Sequence, residues 1–177
     1  ERFRESFHIA ELGFGTGLNL LAALHAWREA GFDTPLRFTS FEAYPLAADA
    51  MIRAQTAFPE LRSVAAELAP FWQAGARKIA LSDLDFTLVK GDARDTLAAW
   101  PGRADAWFLD GFAPARNPEL WSDALMVDVA ARTATGGTVA TYTAAGHVRR
   151  ALAAAGLEVT RAPGYGRKRH MTVARKP

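Results

Sequence analysis

The sequence predicts a doubly wound α/β fold on a mostly parallel sheet with an antiparallel last strand, and three observations carry that prediction. Short β-type runs alternate with longer helical patterns, the first run ends in a glycine turn that opens a helix, and the last two runs are separated only by a turn. At 177 residues, half of them hydrophobic and 23% charged, the chain has the size and composition of one globular domain, 1–177. No internal repeat, low-complexity stretch or Pro/Gly-rich linker marks a boundary.

His8 to Leu12 reads as a buried strand ending in Gly13-Phe14-Gly15-Thr16-Gly17, after which Leu20, Leu21, Leu24 and Trp27 recur at helical spacing. Arg37 to Glu42 is a second strand, and Pro45 then opens a helix that places Leu46, Ala50, Ala54 and Phe58 on one side. Ala65 to Leu84 reads as a helix through Trp72 and a short strand at Lys78 to Leu81. Phe86 to Lys90, Ala104 to Leu109 and Thr138 to Thr143 are further strands, with helices at Ala93 to Trp100, Pro118 to Arg132 and Ala145 to Ala155. Glu158 to Ala162 and Met171 to Ala174 leave no room for a helix between them, so they are expected to pair as an antiparallel hairpin. In such a sheet the ligand lies at the carboxyl ends of the strands.

Composition narrows the chemistry. The absence of cysteine excludes disulfides, thiolate zinc sites, iron–sulfur clusters and a cysteine nucleophile. His8, His25, His147 and His170 lack metal-ligand spacing, and neither a G-x-S-x-G elbow nor a G-x-x-x-x-G-K-[ST] loop occurs, so no metal, hydrolase or NTPase site is expected. No apolar run approaches the roughly 20 residues that span a bilayer, and Glu1-Arg2-Phe3-Arg4-Glu5 is too polar for a signal peptide. A cytoplasmic protein without a membrane partner is expected. The chain opens without Met just before a strong strand and reads as a piece of something longer.

The net charge of +2 hides an asymmetry: residues 1–144 sum to −5 and residues 145–177 to +7. A basic end on an acidic domain suits a polyanionic partner such as nucleic acid, though a solvated helix face with a basic tail gives the same count.

The glycine turn lets the backbone approach a ligand and aims a helix N-terminus at it, which suits a nucleotide-like cofactor. The dinucleotide spacing G-x-G-x-x-G fails, because its last glycine falls on Leu18 or Leu20. Glu11, two residues before Gly13, would repel a pyrophosphate and favour a cationic ligand. S-adenosylmethionine fits, with its ammonium and sulfonium and no phosphate. Glu42 is placed for ribose hydroxyls and Asp92, in Gly91-Asp92-Ala93, for the adenine amino group. Asp110 opens Asp110-Gly111-Phe112-Ala113-Pro114 at a strand end, where in amine-modifying methyltransferases of this topology an acid or amide orients the attacking nitrogen. Phe112 and Pro114 either wall that amine from water or are ordinary loop packing.

ELGFGTGLNL (Glu11 to Leu20), SFEAYPL (Ser40 to Leu46), FLDGFAPARNP (Phe108 to Pro118), ATYTAAGHVRR (Ala140 to Arg150) and GYGRKRHM (Gly164 to Met171) together resemble the methyltransferase domain of the bifunctional tRNA 5-methylaminomethyl-2-thiouridine biosynthesis proteins and their single-domain relatives. The resemblance runs from about His8 to Ala174. It implies a Rossmann-like class I S-adenosylmethionine-dependent methyltransferase fold and methylation of the 5-aminomethyl group of the tRNA wobble uridine. It implies a cofactor site of Glu11, Gly13, Phe14, Gly15, Gly17, Asn19, Glu42, Asp92, Ala93 and Asp110, with Asp110 also catalytic. Arg149, Arg150, Arg167, Lys168 and Arg169 are expected to meet tRNA phosphates. Family members usually carry an N-terminal segment before the glycine motif, and the bifunctional ones an FAD-dependent oxidase that supplies the aminomethyl group; this chain is expected to lack both, and so to hold no FAD. Methylation of another amine, or a non-catalytic tRNA- or partner-binding module on the same fold, stay open as alternatives.

Overall fold

The computed structural model describes residues 6–166 and 168–177; the polar start Glu1 to Glu5 and Arg167, one of the expected phosphate contacts, lie outside the described residues. The strands are β1 (His8–Leu12), β2 (Leu36–Glu42), β3 (Lys78–Ala80), β4 (Leu84–Lys90), β5 (Ala104–Leu109), β6 (Thr133–Thr141), β7 (Glu158–Pro163) and β8 (His170–Arg175). The helices are α1 (Leu18–Glu29), α2 (Ala48–Gln55), α3 (Arg62–Gln73), α4 (Ala93–Ala99), α5 (Asp123–Ala131) and α6 (Gly146–Ala154), with short 3-10 turns at Pro59–Leu61 and Pro118–Trp121.

All eight strands form one sheet in the order β3-β4-β2-β1-β5-β6-β8-β7. From β4 to β6 every pairing is parallel, while β8 runs antiparallel to both β6 and β7. The expected hairpin is therefore present, with the last strand inserted inside the sheet and β7 at the edge. The short β3 pairs antiparallel with β4 at the other edge. Two cores cover the two faces. Leu20, Leu24, Trp27, Phe38, Val64, Leu68, Trp72 and Phe86 pack on the α1–α3 side. Leu97, Trp107, Trp121, Leu125, Met126, Val148 and Leu152 pack on the α4–α6 side. The central strands are apolar on both faces because both are covered, which is why they read as nearly continuous hydrophobic runs.

The largest departures from the sequence reading fall in three places. The second helix starts at Ala48, because Ala47 stays extended (φ −63°, ψ 144°), so Pro45 and Leu46 belong to the connection and Phe58 lies beyond the helix end. The single helix expected over Pro118 to Arg132 is divided at Ser122, whose extended backbone (ψ 151°) ends the 3-10 turn and whose Oγ accepts from the Leu125 N–H at 3.4 Å. The sixth strand starts earlier, at Thr133, with a register irregularity against Ala104 and Ala106, and ends at Thr141. Among the described residues, no helix is long and apolar enough to cross a membrane and no cluster of His, Asp or Glu is placed to hold a metal ion.

Candidate active site

The carboxyl ends of β1, β2, β4 and β5 are tied into one platform by backbone hydrogen bonds. Gly13 N–H donates to Phe41 O at 2.9 Å, Asp110 N–H to Leu12 O at 3.0 Å and Gly91 N–H to Glu42 O at 3.1 Å. Gly13 holds φ +88°, and a side chain there would stand 2.8 Å from the Gly111 Cα, so the first and fifth strand ends approach as closely as their backbones allow. Gly17, at φ +76°, caps α1 without a side-chain hydrogen bond. Of the expected turn residues, Phe14 contributes backbone only: its ring is buried against Trp72 and Phe86, at centroid distances of 5.7 and 5.3 Å.

Three carboxylates converge on this platform. Glu11 is fully buried, accepting from Ser40 Oγ at 2.6 Å and from Asn19 Nδ2 at 2.8 Å. The same Asn19 Nδ2 donates to Asp110 Oδ2 at 2.9 Å, so one amide on α1 ties the ends of β1 and β5 together. Glu42 spans the glycine turn and its own strand exit, accepting from Gly15 N–H at 3.3 Å and Tyr44 N–H at 2.8 Å.

Burial pushes the Glu11 carboxyl from 4.5 up to about 8, against the lowering effect of its Ser40 and Asn19 hydrogen bonds. The expectation of a standing anion at Glu11 is thus corrected: burial in this fold favours the protonated form of the group near pH 7. The Asp110 carboxyl is also raised, by the protein mass around it, while Asn19 and the Lys168 ammonium oppose the shift. Asp92 behaves differently. It caps α4 and grips Arg94, accepting from Arg94 N–H at 2.9 Å and Arg94 Nη2 at 2.6 Å, and this pairing holds its carboxyl below the ordinary range. Its neighbour Ala93 is buried in the first helical turn.

Beyond Asp110, Phe112 projects into solvent at 76% exposure while its carbonyl accepts from Trp121 Nε1 at 2.8 Å. Pro114 is half-buried on the same loop. Tyr142, just past β6, donates its hydroxyl to Gly111 O at 2.9 Å, and Lys168 Nζ stands 4.1 Å from the centre of the Tyr142 ring. The turn after β7 therefore leans over the Asp110 corner. Lys168 and Arg169 are exposed on that turn and Arg150 on α6, whereas Arg149 is half-buried with its Nε enclosed and, among the described residues, without a hydrogen-bond partner. Sequence reasoning assigned no part to Ser40, Arg94 or Tyr142. Ser40 and Tyr142 sit inside motifs already singled out, but only the strand register shows what they face.

The arrangement fits S-adenosylmethionine on its own terms. The turn leaves room for a ligand at Gly15, where a side chain would meet nothing within 4 Å, Glu42 is a strand-end carboxylate for a polyol, and Glu11 is a buried carboxyl that a cation would ionise. A family model described as S-adenosyl-L-methionine-dependent methyltransferase matches residues 59–177. Two proteins named tRNA 5-methylaminomethyl-2-thiouridine biosynthesis bifunctional protein MnmC, from Caulobacter sp. (strain K31) and Hahella chejuensis (strain KCTC 2396), are 45% and 46% identical over 98% and 94% of the chain. The matches cover 31% and 28% of those proteins, so the chain spans about a third of the length of these curated relatives. The crystal structure of MNMC2 from Aquifex aeolicus superposes with a TM-score of 0.79 at 30% identity, over 97% of this chain and 53% of that one. The structure of SAM bound CalS10, an amino pentose methyltransferase from Micromonospora echinaspora, gives 0.53 at 16% identity over 97% of this chain and 84% of that one, a likeness of fold alone. With a family match over most of its length and a glycine turn ringed by strand-end carboxylates, the chain belongs to the S-adenosyl-L-methionine-dependent methyltransferase family.

Proposed function

We propose that the chain N-methylates the 5-aminomethyl group of 5-aminomethyl(-2-thio)uridine at the tRNA wobble position, giving the 5-methylaminomethyl nucleoside. The observation that supports this reading is Asn19 shared between Glu11 and Asp110, which joins the strand end expected to take the cofactor's ammonium to the strand end expected to take the amine. The relatives' names point to the product, the 5-methylaminomethyl-2-thiouridine of tRNA, from which an aminomethyl substrate follows for a methyl transfer. Those relatives are bifunctional by name, and the expected second activity, an FAD-dependent oxidase in the same or another protein, would deliver the aminomethyl group.

When bound, S-adenosylmethionine supplies an electrophilic methyl group on a cationic sulfur. Glu42 would hold the ribose hydroxyls with the carboxylate that now accepts from Gly15 N–H and Tyr44 N–H. Glu11 would hold the methionine ammonium, as a buried carboxyl that a neighbouring cation favours in its ionised form. Asp92 and Ala93 would line the adenine end, with Asp92 sharing its carboxylate with Arg94. Asp110 faces the substrate nitrogen. An alkylamine with a pKa of roughly 10.4 needs on the order of 4–5 kcal/mol to lose its proton at pH 7, so the uncharged nucleophile is scarce. Asp110 is too weak a base to generate it in quantity. Its part is to accept an N–H from the amine, aim the lone pair along the line of attack and stabilise the positive charge that develops on nitrogen.

Incubating the chain with methyl-labelled S-adenosylmethionine and tRNA carrying 5-aminomethyluridine, followed by nucleoside analysis, tests the reading. Label in 5-methylaminomethyluridine supports it. Label in another nucleoside, or transfer only to a small amine added in competition, overturns it.

A further inference from the structure

We propose that Lys168, seated on the face of Tyr142 beside Asp110, is a positioning residue that makes the site receive the substrate amine in its uncharged form. The inference rests on the methyl-transfer reading above and adds to it the group that decides the amine's charge.

The geometry is specific. The Lys168 Nζ lies 4.1 Å from the centre of the Tyr142 ring, within the range of a cation–π contact. The Tyr142 hydroxyl is anchored on Gly111 O at 2.9 Å, one residue after Asp110. On its own side Lys168 is held by a tight turn. Its N–H donates to Tyr165 O at 3.1 Å, Gly164 N–H donates to Arg169 O at 3.1 Å, and any side chain at Gly164 would collide with the Lys168 carbonyl. Lys168 is close enough to stabilise the Asp110 anion, yet among the described residues it forms no ion pair with it. The ring holds the ammonium off the carboxylate. Asp110 Oδ2 is engaged by Asn19, and Oδ1 is left for the incoming amine.

The charged and titratable groups around this corner make the consequence definite. Glu11 comes from β1, Glu42 from the end of β2, Asp110 from the end of β5, Tyr142 from the end of β6, and Lys168 and Arg169 from the turn after β7. Burial and Asp110 both raise the Tyr142 phenol, so it stays neutral, and Glu11 is mostly protonated before a cation arrives. An ammonium substrate at Asp110 would face the Lys168 ammonium across a single carboxylate. An uncharged amine meets no such repulsion, and like-charge pressure of this kind is a general means of keeping an amine nucleophilic. The proton is therefore left with solvent on entry. The nitrogen lone pair then forms the N–C bond while the C–S bond breaks and its electron pair stays on sulfur. The resulting secondary ammonium passes one proton to solvent.

A lysine that only touches phosphate would not do this, and the two roles separate in a pH experiment. Single-turnover methyl transfer to saturating tRNA is followed against pH for the unsubstituted chain, Lys168→Gln and Lys168→Arg. In Lys168→Gln the acid limb should move up by about one pH unit, giving a rate about tenfold lower below the limb and an unchanged plateau above it. Lys168→Arg should keep the original limb. Independently of activity, carboxyl-carbon NMR of the ligand-free protein should show the Asp110 titration moved upward in Lys168→Gln and unmoved in Lys168→Arg. A limb or an Asp110 titration that ignores Lys168→Gln overturns the proposal, as does a defect confined to the KM for tRNA. If the unsubstituted chain transfers no methyl to tRNA, the functional reading itself fails and takes this inference with it.

Discussion

The two charged regions of the site are built in opposite ways. The acidic corner at the ends of β1, β2 and β5 is locked. Glu11 is wholly buried, Asn19 and Ser40 fix its oxygens at 2.8 and 2.6 Å, and backbone hydrogen bonds join the strand ends beneath it. The basic turn after β7 is held by its own backbone and by one cation on one ring, with Tyr165 at 96% exposure. A small cofactor of fixed shape is served by a preorganised pocket, whose groups need no rearrangement at the moment of reaction. A large polyanion is served by exposed cations that adapt to it, with affinity drawn from counterion release. The difference predicts that substitutions in the acidic corner act on stability and chemistry, and substitutions in the basic turn on salt dependence and pH profile.

The largest effect expected from that contrast is at Glu11. Its carboxyl rises from 4.5 to about 8 on folding, so the wild-type fold is penalised progressively as pH rises through that window, and the penalty is absent below it. Glu11→Gln should gain stability over the unsubstituted chain by an amount that grows between pH 5 and pH 8.5 and reaches the order of a few kcal/mol. Denaturant unfolding at the two pH values measures it, and a gap that stays constant with pH would show that Glu11 is ionised in the fold. Next comes Gly13→Ala, which forces a side chain to φ +88° and against Gly111. A loss of about 1–3 kcal/mol in unfolding free energy is expected, with a parallel loss of cofactor binding. Smallest are Arg150→Gln and Arg169→Gln in the basic region. Each should reduce the magnitude of the log-log salt slope for tRNA binding by about 0.7 to 0.9, with melting temperature and cofactor affinity unchanged. A lowered melting temperature with an intact slope would move the residue from the docking face to the frame.

The same contrast governs what the sequence made legible. The central strands were readable because both of their faces are buried, and the glycine turn because only glycine tolerates the φ values at 13, 15 and 17. The strand order was not, since register is a property of pairs of strands: nothing in residues 158–174 says that β8 enters between β6 and β7. Pro45 was a misleading signal. It fits a first helical turn, yet Ala47 is extended and the helix waits until Ala48. At the site, Glu42 and Asp110 could be placed because they end strands, whereas the charge of Glu11 could not, because its protonation follows from burial that only the packed fold creates. Asp92 was read as a ligand group, but its capping of α4 and its grip on Arg94 depend on a helix start that its spacing alone does not reveal.

A division of labour between Glu42 and Asp110 is tested most directly by one paired measurement. Calorimetric titration with S-adenosylmethionine and single-turnover methyl transfer to tRNA are made on Glu42→Ala and Asp110→Ala side by side. Glu42→Ala should weaken cofactor binding by roughly 1.5–3 kcal/mol, the range for hydrogen bonds to a charged group. Asp110→Ala should keep most of its cofactor affinity and slow transfer by on the order of 10²- to 10³-fold, as expected when a group that stabilises the transition state is removed. Equal losses of cofactor binding in both variants, or near-normal transfer in Asp110→Ala, would contradict the assignment of the acidic corner to two separate tasks.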